Sequence, residues 1–277
     1  MGERQKVSKH IIDVEVIPDD KLSKLKKSIN AVDITTFDKN IKPPNAIRIN
    51  KTSYVNTETG EIKTFNRNRS NQRDKGSLSK TFKRLRELIR HNFIGDKSEI
   101  FLTLTFKTLV DNTELSTKFE IFWNRLNTYM NGAELRCIVV VEPLDFNQYH
   151  LHCLLKRLDG KRLFILQPQL LNLWNNGRVY VTKLWNPKGL SMYLSSLYVS
   201  KKKTNIKFFP NNLQIYRRYG KFEKINKFEM THGSAIRMVK DEDYILDEIN
   251  SFVLVDDKLN VTYNKVTEEF WLKNKRK

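Results

Sequence analysis

Between Glu99 and Phe106 the chain alternates, with Ile100, Leu102, Leu104 and Phe106 on one face of a strand and Thr103 and Thr105 on the other. Leu115, Phe119, Phe122 and Leu126 then recur at helical spacing and predict an amphipathic helix to about Met130. Arg136–Glu142, rich in Val and Ile, predicts a second strand. Pro143–Gln148 is turn-like, and Tyr149–Lys156 predicts a third strand. Pro168 sits near the start of a short helix through Leu170, Leu171 and Trp174 that stops near Gly177. Arg178–Leu184 predicts a fourth strand, and a helix follows Asn186-Pro187, from about Gly189 through Lys201.

The order β-α-β-β-α-β predicts an α+β fold: a ferredoxin-like or RRM-like antiparallel sheet with helices on one face. Upstream, Leu78, Phe82, Leu85 and Ile89 stripe a helix from about Ser77, whose other faces carry Lys80, Lys83, Arg84, Arg86 and Arg90. Tyr54 to Asn71 suggests a hairpin and a basic loop. The expected organisation is a flexible basic arm over 1–53, a domain over 54–203 with its core at 99–203, and a C-terminal extension over 204–277. Within that extension, Ile215-Tyr216-Arg217-Arg218-Tyr219-Gly220 is basic and aromatic, as single-strand binding surfaces often are, or else an ordinary surface turn. Glu242–Phe252 looks helical, and Val261-Thr262-Tyr263 suggests a last short strand.

Charge narrows the choice of partner. Fifty Lys and Arg against 31 Asp and Glu give a formal net charge of +19 and a pI near 9.8, an excess that suits a polyanion. Nucleic acid fits better than membrane, because no apolar run approaches the roughly 20 residues of a bilayer span. No secretory leader is visible after Met1, and Lys6 stands where a myristoylation signal wants Ser or Thr. Cys137 and Cys153, in apolar runs without metal or redox spacing, read as reduced core cysteines of a cytosolic protein.

The chemistry concentrates in Gln148-Tyr149-His150-Leu151-His152-Cys153. On a strand both imidazoles project to one side, where they can grip one divalent ion. Glu142 ends the preceding strand, and a hairpin across Pro143–Gln148 brings it close to His150. Two imidazoles and a carboxylate suit Mn²⁺ or Mg²⁺, with the other positions left to water and phosphate oxygens. The helix after the fourth strand adds Tyr193 and Tyr198, followed by Lys201, Lys202 and Lys203. A phenol, with a pKa of about 10, attacks a phosphodiester better with a metal and positive charge nearby. Tyr198 and Lys201 share a helix face.

Three blocks occur in the order of the HUH endonucleases, and the chain resembles their rolling-circle replication initiators from bacterial plasmids, phages and related mobile elements. Phe101-Leu102-Thr103-Leu104-Thr105-Phe106 is similar to their first motif strand. Val140-Val141-Glu142 leading into His150-Leu151-His152 resembles their metal-binding motif, and Tyr198-Val199-Ser200-Lys201 their Y-x-x-K helix. The resemblance spans about Tyr54 to Tyr219 and makes 54–203 an HUH nuclease domain. It implies a metal-dependent, site-specific nickase of single-stranded DNA at a replication origin. A tyrosine would stay joined to the 5′-phosphate, freeing a 3′-hydroxyl to prime synthesis, and a later reverse transfer would rejoin the displaced strand. Glu142, His150 and His152 would bind the metal, a tyrosine of the 193/198 pair would be the nucleophile, and Lys201 would neutralise phosphate. Lys202, Lys203, Arg217 and Arg218 are candidate DNA contacts.

The third motif departs from the family pattern. Members with two tyrosines usually space them four apart; Tyr193 and Tyr198 are five apart, about 140° around a helix, so both cannot face one site. Tyr193 lies at the expected distance after the fourth strand but has Ser196 in the lysine position; Tyr198 has the lysine a turn later, which favours it slightly. No G-x-x-x-x-G-K-[ST] loop occurs, so unwinding falls to a host helicase working with the host polymerase in the bacterial cytoplasm. A dimer is left open. Competing readings are a conjugative relaxase or HUH transposase, a metallonuclease that uses water, and a non-catalytic RRM-like binder. Tyrosine after the histidines favours the initiator, and histidines where an RRM wants exposed aromatics disfavour the binder.

Overall fold

A computed structural model describes residues 17–37, 46–50, 52–56, 59–64, 75–144, 148–199, 213–242, 244–255 and 261–272. In chain order the elements begin with β1 (Leu22–Lys27), β2 (Ala31–Phe37), β3 (Ala46–Arg48), β4 (Ser53–Asn56), β5 (Ile62–Thr64) and α1 (Lys75–Asn92). There follow β6 (Glu99–Thr105), α2 (Asn112–Tyr129), β7 (Leu135–Pro143), β8 (Tyr149–Arg157), α3 (Gln167–Trp174), β9 (Val179–Lys183) and α4 (Pro187–Val199). The last are β10 (Tyr216–Gly220), β11 (Asn226–Thr231), α5 (His232–Asp241), β12 (Tyr244–Val255) and β13 (Val261–Leu272). The chain forms two compact units, one built on 44–224 and the other on its two ends.

The first unit holds an antiparallel sheet in the order β10-β7-β8-β6-β9. Without β10, this is the split βαβ arrangement of a ferredoxin-like fold: β8 lies between β7 and β6, and β9 flanks β6. The two crossover helices occupy one face. Leu115, Phe119, Phe122 and Leu126 of α2, with Leu170 and Trp174 of α3, pack on Leu102, Leu104, Val139, Leu151, Cys153 and Leu155. A capping box starts α2: the Asp111 side chain accepts from the Thr113 and Glu114 amides, and Glu114 accepts from the Asp111 amide. The two helices outside the βαββαβ motif lie on the opposite face, where Phe82, Leu85 and Ile89 of α1 and Leu194 of α4 meet Ile138, Val140 and Leu154. Leu135 to Glu142 is consequently buried at every position, which explains a Val/Ile run without polar alternation. A separate antiparallel sheet, β3-β4-β5, carries the expected hairpin, turned at Gly60 with φ +70°.

Two expectations are corrected in the second unit, and a third in the first. Residues 22–37 are not a flexible arm. They form β1 and β2 in the sheet β11-β1-β2-β13-β12, with Leu25, Val32 and Ile34 fully buried against α5. Their partners are some two hundred residues away in sequence, so the lysines between the apolar positions dominate any local reading. Glu242–Phe252 is not a helix: Tyr244–Val255 is a strand paired with the 12-residue β13. A register shift between Leu246 and Glu248 breaks the twofold alternation and leaves Ile245, Ile249 and Phe252 at helix-like spacing. Tyr216–Gly220 is likewise no surface turn but the edge strand beside β7.

Glu99 ties the entry of β6 to its neighbours. Its fully buried carboxylate accepts from the Ile94 and Gly95 amides at 3.0 and 2.7 Å and from Lys156 Nζ at 2.7 Å. Burial pushes this carboxyl above its ordinary range, outweighing the pull of Lys156. The folded chain therefore holds the proton to higher pH than the unfolded chain, and this group's contribution to stability falls as pH rises from the ordinary carboxylate range through the raised value. Urea titrations should show Glu99→Ala losing about 3–5 kcal/mol, because the part-buried Lys156 loses its counter-ion and keeps only the Asn92 carbonyl. Glu99→Gln should remove that pH slope; an unchanged slope would assign it to other groups.

Candidate metal centre

The β7–β8 register sets Glu142 opposite His150 and Val140 opposite His152. Strand alternation then puts both imidazoles on the sheet face opposite the α2/α3 core. Glu142 Oε2 lies 2.9 Å from His152 Nε2 and 3.5 Å from His150 Nδ1, and one ligand atom from each residue falls within a 4.8 Å group. The ligand atoms of one six-coordinate ion, bonded at about 2.1 Å, sit about 3–4 Å apart, so the three residues fit a small dication. His152 is 5% exposed and His150 31%, which leaves the centre walled on one side and open on the other. One carboxylate and two imidazoles could hold a divalent metal ion and offer no thiolate for softer metals.

Neighbouring side chains hold this group in place. Thr103, paired with His152 across β6 and β8, brings its Oγ1 to 3.2 Å from His152 Nδ1. The Phe101 ring stacks on the same imidazole at 5.7 Å between centroids and 4° between planes. The site end of β6 is fixed by the α3–β9 connection: Trp174 Nε1 donates to the Thr105 carbonyl at 2.8 Å, and the Arg178 amide donates to Thr105 Oγ1 at 3.0 Å. Gly177 passes so close there that a Cβ would stand 2.0 Å from the Thr105 carbonyl oxygen.

Tyr193 comes from α4. Asn186 caps that helix by accepting from the Gly189 amide at 2.9 Å, and buried Leu194 roots it on β7. The Tyr193 ring stands edge-on to His152, 6.3 Å between centroids, and is half exposed. Burial, together with the negative charge of Glu142, pushes its phenol above the usual value. Tyr198 falls within α4 with its side chain outside the described residues, and Lys201, Lys202 and Lys203 lie outside them altogether. The structure thus brings Glu142, His150, His152 and Tyr193 together. Arg217 and Arg218 are neighbours on β10 and point to opposite faces of the sheet. Arg218 is exposed and 5.8 Å from the Phe222 ring, whereas Arg217 bonds Tyr219, which lies in the α2 core.

Calorimetric titration should find a Mn²⁺ site in the full chain. At a free Mn²⁺ concentration of 100 times Kd, the parent gains about 2.7 kcal/mol of stability. Glu142→Gln and His152→Ala should lose that gain; equal stabilisation of parent and variants would place the ion elsewhere.

Among the described residues no helix is long and apolar enough to cross a membrane. No curated protein and no solved structure matches the chain. Residues 99–203, from the first strand of the βαββαβ motif to just beyond α4, match the family model described as replication-associated protein ORF2/G2P, and the Glu-His-His centre lies within the matched residues.

Proposed function

We propose that the chain is a rolling-circle replication initiator that nicks single-stranded DNA at an origin, with Tyr193 as nucleophile and Glu142, His150 and His152 as ligands of Mn²⁺ or Mg²⁺. The observation that carries this reading is the half-exposed Tyr193 ring beside His152, in the only Glu/His cluster of this kind among the described residues. The bound ion would polarise the scissile phosphate and offset its charge. Tyr193 Oη would then form a bond to phosphorus as the bond from phosphorus to the 3′-oxygen breaks. The phenol proton leaves to solvent and the departing 3′-oxygen gains one. The 5′-phosphate remains on the tyrosine, and the free 3′-hydroxyl primes synthesis. The reverse attack by a 3′-hydroxyl on the phosphotyrosine rejoins a strand without an outside energy source.

The charge of +19 favours a polyanionic substrate held by basic residues. Lys201, Lys202, Lys203 and Arg218 are the candidates to hold phosphates. Host helicase and polymerase are the proposed partners, and the bacterial cytoplasm the proposed compartment.

Incubating the protein with origin-derived single-stranded oligonucleotides and Mn²⁺, then separating on a denaturing gel, tests the reading. A covalent adduct on the 5′ fragment is expected from the parent and from Tyr198→Phe. Tyr193→Phe should lose it by at least about 10³-fold, as for removal of a nucleophile elsewhere. An adduct kept by Tyr193→Phe and lost by Tyr198→Phe would move the nucleophile one turn along the helix. Cleavage without adduct would make the protein a water-using metallonuclease.

A further inference from the structure

We infer that Thr103 is a positioning residue for the metal centre: its hydroxyl holds the His152 ring through Nδ1 and serves both hydrogen placements which that ring must adopt. The inference rests on reading Glu142, His150 and His152 as metal ligands. In the neutral ring, the 2.9 Å contact from Nε2 to the Glu142 carboxylate needs the hydrogen on Nε2, because a carboxylate only accepts. Nδ1 is then an acceptor, and the Thr103 hydroxyl 3.2 Å away donates to it. A ligand nitrogen must instead present its lone pair, so binding through Nε2 moves the hydrogen to Nδ1 by exchange with solvent, with no net loss of a proton. The hydroxyl then accepts.

A hydroxyl carries one donor and two acceptor sites, so it can back either tautomer by rotating. A backbone carbonyl or carboxylate in its place would support only the second. Phe101 stacks on the same ring and sets its plane, Glu142 meets it at Nε2, and Thr103 supplies the hydrogen bond at Nδ1. The strand Phe101-Leu102-Thr103 thereby acquires a chemical reason for its alternation. Leu102 enters the dry core, while its two neighbours grip one imidazole. Partners behind a metal-bound histidine characteristically set its tautomer and its aim.

The test titrates the full chain with Mn²⁺ alone, without DNA, and compares the parent with Thr103→Val, Thr103→Ala, Thr103→Ser and His152→Ala. Loss of the hydroxyl in the Val and Ala variants should raise the Mn²⁺ dissociation constant about 10–100-fold, and Ser should stay within about threefold of the parent. Imidazole ¹⁵N shifts give a second readout. His152 should carry its hydrogen on Nε2 in the metal-free parent and on Nδ1 after addition of Mg²⁺. Val and Ala variants that bind Mn²⁺ like the parent, while His152→Ala does not bind, would overturn the positioning role and leave the metal centre standing. If His152→Ala also binds like the parent, the centre and the inference fall together.

Discussion

The pairing of β7 with β8 is the constraint on which the site depends. In this register Glu142 stands across from His150, and the side chains of one sheet face come from Glu142, Val140 and Ile138 on one strand and His150, His152 and Leu154 on the other. A slip of β8 by one residue would turn His150 and His152 into the α2/α3 core, away from Glu142, and move Leu151 and Cys153 to the opposite face. The cost of burying two imidazoles in that apolar core without their contacts to Glu142 opposes the slip. Core packing and ligand geometry are fixed by the same set of backbone bonds.

Covering the sheet on both faces has a chemical consequence. On the α2/α3 side the packing is dry; Cys153 is free there, and burial holds its thiol well above its ordinary value, so it stays inert. On the other side α1 and α4 close over Ile138, Val140 and Leu154 and stop at the row containing His152. One half of that face is therefore apolar floor and the other half a polar opening. Glu142 sits at the boundary, nearly buried, with its charge facing two imidazoles. A carboxylate so placed carries a desolvation penalty that its imidazole neighbours offset in part, and a cation would offset it more fully.

Much of the first unit was legible in the sequence because its information is local. Period-two alternation in β6, the helical stripe of α2 and the His-Leu-His spacing each depend on residues within a few positions of one another. The Glu142–His150 contact could also be read, since a short hairpin brings the ends of consecutive strands together. What the sequence did not disclose depends on distant partners. The strands of 22–37 exist because 226–231 and 261–272 lie beside them, and their own lysine-rich composition argues against burial. The bulge in β12 disguised a strand as a helix. Thr103 was placed on the correct face, but nothing within β6 says that β8 would be its neighbour, so its bond to His152 stayed hidden.

The choice between the two tyrosines shows how a motif can compete with geometry. Tyr198 has the lysine three residues on, a relation internal to the helix; closeness to the metal ligands is instead set by where α4 is rooted on the sheet. Leu194 does that rooting, and its neighbour Tyr193 meets His152. The electrostatics of that contact bear on why a metal would be needed at all. Glu142 opposes ionisation of the Tyr193 phenol, and the two imidazoles beside Glu142 are neutral in the form that binds a metal. A dication held by Glu142 gives the cluster a net positive charge, so the interaction that discourages a phenolate in the protein alone comes to favour it. Under the proposed mechanism, nucleophile and metal would be coupled through one carboxylate, and a chain lacking Glu142 would lose both the ligand and the sign change that the proposed tyrosine attack requires.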